Sequence, residues 1–147
     1  MPRSLSVARK KVQVWIHTER PGSERRFLLL KLRRERGGFW QPVTGGVEKG
    51  ERSLAAAARE SDEESSLTFD GAPIPVDHSF VFRKGEQSFV ETVFRRQVIA
   101  GRSGVLKLDP NEHIQSEWVS AKEALARLSF DSNRDALRAV LKSLGDA

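Results

Sequence analysis

The chain has 147 residues, enough for one hydrophobic core, with 38% hydrophobic and 31% charged residues and a formal net charge of +5. That balance excludes a disordered tail and a fibrous repeat, and no apolar run approaches the roughly 20 residues of a membrane-spanning helix. The absence of cysteine excludes disulfides, thiolate zinc sites, iron–sulfur clusters and cysteine nucleophiles, so any metal must sit on oxygen or imidazole.

The stretch from Met1 to Lys11 is basic with no apolar segment behind the charge, which predicts no secretory signal and a cytoplasmic protein, with residues 1–10 as a flexible basic lead. Residues 1–36 hold 11 Lys and Arg against 3 Asp and Glu, whereas residues 37–147 hold 14 against 17. A front end of this kind attracts nucleic acid, neutralises the phosphates of a small substrate, or is a solvated cationic surface; charge alone does not choose.

Val12, Val14 and Ile16 alternate with polar residues from Lys11 to Ile16, the period of a half-buried strand. A turn is expected at Glu19 to Ser23, then a second strand at Arg26 to Arg33, whose run Phe27-Leu28-Leu29-Leu30 predicts burial on both faces. Gly37-Gly38 breaks the pattern, and Phe39 to Gly46 reads as a brief strand entering a loop that ends near Gly50. Ser53 is expected to cap the central helix, for which Leu54 to Glu60 has high propensity. Val76 to Phe82 and Ser88 to Ile99 read as a hairpin turning at Lys84-Gly85-Glu86. Ser116 to Ser120 is a short strand around Trp118, and Ala121 to Leu128 is helical. Asp131 or Ser132 is expected to cap a last helix striped with Leu137, Val140, Leu141 and Leu144. Strands on both sides of one helix, with helices at the end, predict an α/β or α+β sandwich.

The chemistry concentrates between Gly45 and Leu67. Glu60, Glu63 and Glu64 fall in one sector of the helix roughly 100° wide, while Leu54, Ala57, Ala58, Ser61 and Ser65 fall on another stripe that can meet the core. Like charges at these spacings repel by a few tenths of a kcal/mol per pair, so three glutamates on one flank are either a solvated face or held by a compensating cation, the sharper of the two readings. Oxygen donors favour a hard ion such as Mg²⁺ or Mn²⁺, which bridges phosphate oxygens and promotes attack on a phosphoanhydride. Arg59 lies beside that flank, Glu51 can pair with it, and Gly45, Gly46 and Gly50 let the preceding loop come close.

The spacing Gly45-x5-Glu51-x7-Arg59-Glu60-x2-Glu63-Glu64, followed by aliphatic Leu67, resembles the signature of the Nudix hydrolase family. The resemblance implies a single Nudix domain over residues 1–147, an α/β/α sandwich with a mixed sheet and the catalytic helix packed against it. It implies Glu60, Glu63, Glu64 and the Gly45 carbonyl as donors to Mg²⁺ or Mn²⁺, with Glu60 as donor or base, and Arg59 paired with Glu51 to orient the glutamates. Asn111-Glu112-His113 ahead of Trp118 resembles the family segment that supplies a further glutamate, here Glu112, as donor or base. Two positions depart from the pattern: Ser61 stands where the family has an aliphatic residue, and Ser66 where it has the glycine that ends the helix. The first is expected to cost apolar packing and the second about 1 kcal/mol of backbone strain.

The approach Phe39 to Glu48 is also similar to that of dihydroneopterin triphosphate diphosphatases and related nucleoside triphosphate pyrophosphohydrolases. This implies a pterin or nucleoside triphosphate substrate, with Lys31, Arg33 and Arg34 as phosphate contacts and Trp40, with Phe39, as a stacking platform. The rivals are a dinucleoside polyphosphate hydrolase, an RNA 5′-pyrophosphohydrolase favoured by the basic front end, and a Nudix-fold module that binds nucleotide without turnover. No membrane partner is expected, and the chain is read as a monomer or homodimer. His17, His78 and His113 lack ligand-like spacing and are read as structural or solvent-exposed, and no nucleophile elbow accompanies the serines.

Overall fold

In a computed structural model, residues 7–19, 24–99 and 111–146 are described. The elements run β1 (Arg9–His17), β2 (Phe27–Leu32), a single 3₁₀ turn (Arg34–Arg36), β3 (Trp40–Gln41), β4 (Val43–Gly46), α1 (Ser53–Ser65), β5 (Ile74–Lys84), β6 (Gln87–Gln97), β7 (His113–Val119), α2 (Ala121–Arg127) and α3 (Asp131–Leu144). Most of the turn expected at 19–23 lies outside the described residues, as do residues 1–6 of the flexible lead. Arg9 and Lys10 of that lead already pair with Phe89 and Val90.

The strands form one mixed sheet ordered β3-β2-β1-β6-β5, with β4 pairing to β1 and β7 to β2. Among the strands of the described residues, β1 and β6 are the one parallel pair, in register from Arg9↔Phe89 to His17↔Gln97. Alternation along β1 and β2 builds a core on each face. Val12, Val14, Ile16, Leu28 and Leu30 meet Ala56 and Ala57 of α1 on one side. Trp15, Phe27 and Leu29 meet Ala124, Ala136, Leu137 and Val140 of α2 and α3 on the other. The expected α/β/α sandwich is therefore the observed one, and β2 is buried on both faces because helices cover both.

Three local expectations change. Neither Ser53 nor Asp131 caps its helix: Arg52 and Phe130 occupy the cap positions with no side-chain cap bond, and Ser53 and Asp131 are the first helical residues. A side-chain cap forms instead at Ser120, which accepts from the Glu123 amide and starts α2. Leu54, expected in the core stripe, is exposed, and Ala56 takes its place beside Ala57, Ser61 and Ser65. Small side chains let α1 approach the sheet closely, and that close face, rather than the largest apolar residue, decides the rotation of the helix.

Ser66 ends α1 in the left-handed region, at φ 56° and ψ 23°, its amide donating to the Asp62 carbonyl. The strain expected of a non-glycine residue at this stop is thus present. On the opposite face a buried polar network ties α3 to the sheet. Gln13 Nε2 donates to Glu91 Oε2 at 2.7 Å and Asn133 Oδ1 at 3.0 Å, while Trp15 Nε1 donates to Gln13 Oε1 at 2.7 Å.

Candidate functional site

The first half of the site is a clamp built by Arg59. Its guanidinium grips the Glu51 carboxylate with two bonds, Nε to Oε2 and Nη2 to Oε1, both 2.9 Å. The remaining donors reach Glu60 Oε1 at 2.8 Å and the Gly46 carbonyl at 2.9 Å. A planar fork satisfying two carboxylates and a carbonyl at once ties the loop before α1 to Glu60 on it. The Glu51 carboxyl also accepts from the Glu48 amide at 3.0 Å. The Arg59 bonds are the main reason that its pKa falls to about 2, and Glu51 in turn raises that of Arg59.

Glu60 is folded directly over Gly45. A Cβ placed on Gly45 would come within 2.0 Å of Glu60 Cδ and 2.3 Å of Oε2, so glycine is required there by close approach. Glu64, one turn further along α1, is only 7% exposed, and its Oε2 is buried without a hydrogen-bond partner. Burial, then the neighbouring charges of Glu60, Glu112 and Glu63, push its carboxyl up to about 9, against a smaller opposing pull from Lys11. Burial also raises Glu60, offset in part by Arg59.

Gly45, Gly46, Glu60, Glu64 and Glu112 line one pocket of about 270 Å³ together with Lys11, Leu32, Arg36, Gln41, Thr44 and His113. Donor atoms of Glu64, Glu112 and His113 lie within 4.8 Å of one another. His113, read as structural or solvent-exposed, is buried, and pairing of β7 with β2, His113 opposite Leu32, carries its imidazole to the glutamates of a distant helix. Sequence spacing cannot register such a neighbour.

Other expected residues lie elsewhere. The Glu63 side chain is 62% exposed and faces Arg59 at 3.5 Å, outside the pocket lining. Lys31 and Trp40 sit together, with the Lys31 ammonium 5.9 Å from the indole and the Arg127 guanidinium 5.3 Å from it, and Trp40 packs on the α2–α3 core. Arg33 pairs with Glu35 at 2.9 Å and Arg34 is exposed; neither lines the pocket. The cations that do line it are Lys11 and Arg36, both within the basic front end but not singled out by the motif.

A hard divalent cation suits this donor set. An unpartnered buried carboxylate oxygen and further carboxylates converge in a pocket that Lys11 and Arg36 also line, and Gly45 leaves room for Glu60 to turn inward.

Comparison with known proteins bears on the family and the fold. The family model for the NUDIX domain matches residues 9–140. A curated octanoyltransferase of Myxococcus xanthus is 35% identical over 124 residues, covering 80% of this chain but 32% of that protein; the chain spans about a third of the relative's length. Among solved structures, a binary complex of a Caenorhabditis elegans Ap4A hydrolase superimposes with TM-score 0.80 at 20% identity, covering 95% of this chain and 100% of that one. The Escherichia coli dihydroneopterin triphosphate pyrophosphohydrolase gives TM-score 0.72 at 26% identity, covering 94% and 99%. No helix among the described residues is long and apolar enough to cross a membrane.

Proposed function

The chain belongs to the NUDIX family, and from that premise we propose that it hydrolyses a phosphoanhydride bond in a pterin or nucleoside triphosphate, releasing pyrophosphate and a monophosphate with the help of Mg²⁺. The observation that carries the reading is the unpartnered, buried Oε2 of Glu64 in a pocket shared with Glu60 and Glu112. Buried and flanked by Glu60 and Glu112, that carboxyl keeps its proton; a dication is the partner that makes its ionised form favourable. Glu60, Glu64 and Glu112 are the proposed donors, with the Gly45 carbonyl beside Glu60 and Glu63 at the solvent edge. When bound, the ion supplies Lewis-acid charge that offsets charge developing on the phosphates.

The chain's own groups do the rest. Lys11 and Arg36 draw the polyphosphate into the pocket and hold it by charge. Arg59, gripped by Glu51, fixes Glu60 so that its carboxylate need not reorganise during the reaction. Glu112, less buried than Glu64, serves in this reading either as the third donor or, in place of that, as the base that accepts the proton of the attacking water. The similarity to the E. coli dihydroneopterin triphosphate enzyme supports the triphosphate as substrate class.

The test is a panel of pterin and nucleoside triphosphates, diadenosine tetraphosphate and triphosphorylated RNA, incubated with Mg²⁺ and read by product mass. Turnover of a free triphosphate to pyrophosphate and monophosphate is expected, with Glu64→Gln inactive yet folded. Preference for the dinucleotide or for RNA would replace the substrate class, and binding without any product would replace catalysis by a nucleotide-binding role.

A further inference from the structure

Ser61 occupies a core position of α1 where the resemblance predicts an aliphatic side chain, and it is fully buried. Its hydroxyl donates to the Ala57 carbonyl at 2.7 Å and accepts from Nη1 of Arg96 at 2.8 Å. The same Nη1 reaches the Ala58 carbonyl at 3.2 Å and Asp62 Oδ1 at 3.0 Å. Arg96 Nε donates to the Gly71 carbonyl at 3.1 Å, and the guanidinium lies 4.0 Å from the centre of the Phe69 ring. One strand side chain, 9% exposed, therefore holds two successive turns of α1 and the segment that follows it.

The contacts matter because of what sits on the adjoining flank. Ser61 directly follows Glu60, and Asp62 comes two residues before Glu64. The two donor glutamates are one turn apart, so a small rotation of α1 about its axis swings both carboxylates in the same sense. Arg96 belongs to β6, which runs in register beside β1, and β1 pairs Val12 with Gly45 of β4. The helix is thereby anchored to the same sheet that carries the glycine beneath Glu60. An aliphatic residue at position 61 would press on the sheet without direction, whereas a hydroxyl bonded to a rigid fork defines an angle.

We infer that Arg96 is a positioning residue for the metal site, setting the rotation of α1 through Ser61 and Asp62 so that Glu60 and Glu64 converge on one ion. The inference rests on the proposed metal-binding role of those glutamates. Its test uses Mn²⁺ alone, titrated into wild type, Arg96→Met, Ser61→Ala and the double variant, with free Mn²⁺ read by electron paramagnetic resonance and melting followed in EDTA. Arg96→Met should weaken Mn²⁺ binding about 10- to 100-fold, the loss typical when a group that orients metal ligands is removed. Ser61→Ala should weaken it less, and the double variant no more than Arg96→Met, because both changes remove one shared contact.

Wild-type Mn²⁺ affinity in an Arg96→Met protein that merely melts lower would overturn the inference and leave Arg96 a fold-stabilising residue. Fully additive losses would overturn the part assigned to Ser61. If Arg96→Met does not fold, Arg96→Lys replaces it, keeping the charge but not the fork, and is judged by the same affinity criterion. Absence of Mn²⁺ binding to wild type would instead defeat the metal-site reading itself.

Discussion

Glu64→Gln should make the metal-free protein more stable while abolishing its response to Mn²⁺. The Glu64 carboxyl, ordinarily at 4.5, is pushed up to about 9 in the folded state, chiefly by burial. Between those values the folded chain holds a proton that the unfolded chain releases. Stability linked to this group is therefore complete below about pH 4.5 and is lost as pH rises toward 9. At pH 7 the interval from the ordinary value is two and a half pH units, which at 1.36 kcal/mol each amounts to about 3 kcal/mol. Glutamine, uncharged at every pH, escapes that penalty. For a chain of this size the difference corresponds to roughly 6–12 °C in melting temperature.

The assay is thermal unfolding of both proteins in EDTA from pH 5 to pH 8.5, repeated with Mn²⁺. The variant should lead by a margin that widens with pH and nearly closes at pH 5. With saturating Mn²⁺ the wild type should recover, by about 2.7 kcal/mol when the ion is at a hundred times its dissociation constant, whereas the variant should not move. A margin that is absent at pH 8, or that does not depend on pH, would refute the account of Glu64 as a carboxyl held in readiness for a cation.

Other consequences are as direct. Ser66→Gly, at a residue with φ 56°, should raise stability by about 1 kcal/mol without altering Mn²⁺ binding, as seen by melting and titration. Gly45→Ala should displace Glu60, whose Cδ would lie 2.0 Å from the new Cβ; about tenfold weaker Mn²⁺ affinity with an unchanged far-ultraviolet circular dichroism spectrum is expected. Arg36→Gln should raise KM for the proposed triphosphate substrate about tenfold with little change in kcat, while Lys31→Gln, beside Trp40, should leave both unchanged.

Much of this molecule follows from local pattern. The alternation of Val12, Val14 and Ile16, the unbroken run from Phe27 to Leu30, and the helical segment after Gly50 all reflect periods that a strand or helix imposes over a few residues. The spacing of Gly45, Glu51, Arg59, Glu60 and Glu64 identified the family and the Arg59–Glu51 pair, because that chemistry lies within one loop and one helix. Even the strained stop at Ser66 follows from the family resemblance, which sets a glycine at that position.

What depends on partners distant in sequence had to await the tertiary structure. Periodicity puts Glu60, Glu63 and Glu64 on one flank, but packing of Ala56, Ala57 and Ser61 against the sheet turns Glu64 inward and leaves Glu63 in solvent. Strand pairing places Lys11 and His113 around the glutamates, the 3₁₀ turn after β2 adds Arg36, and the alternation of β2 and β3 sends Lys31 and Trp40 to the other face. Ser61 looked like a packing defect until Arg96 arrived from β6 to meet it. Sequence thus settled which residue types recur at which period; the docking of α1 on a sheet closed by long-range pairing settled which of them share a pocket, because orientation about a helix axis is set by what the helix packs against.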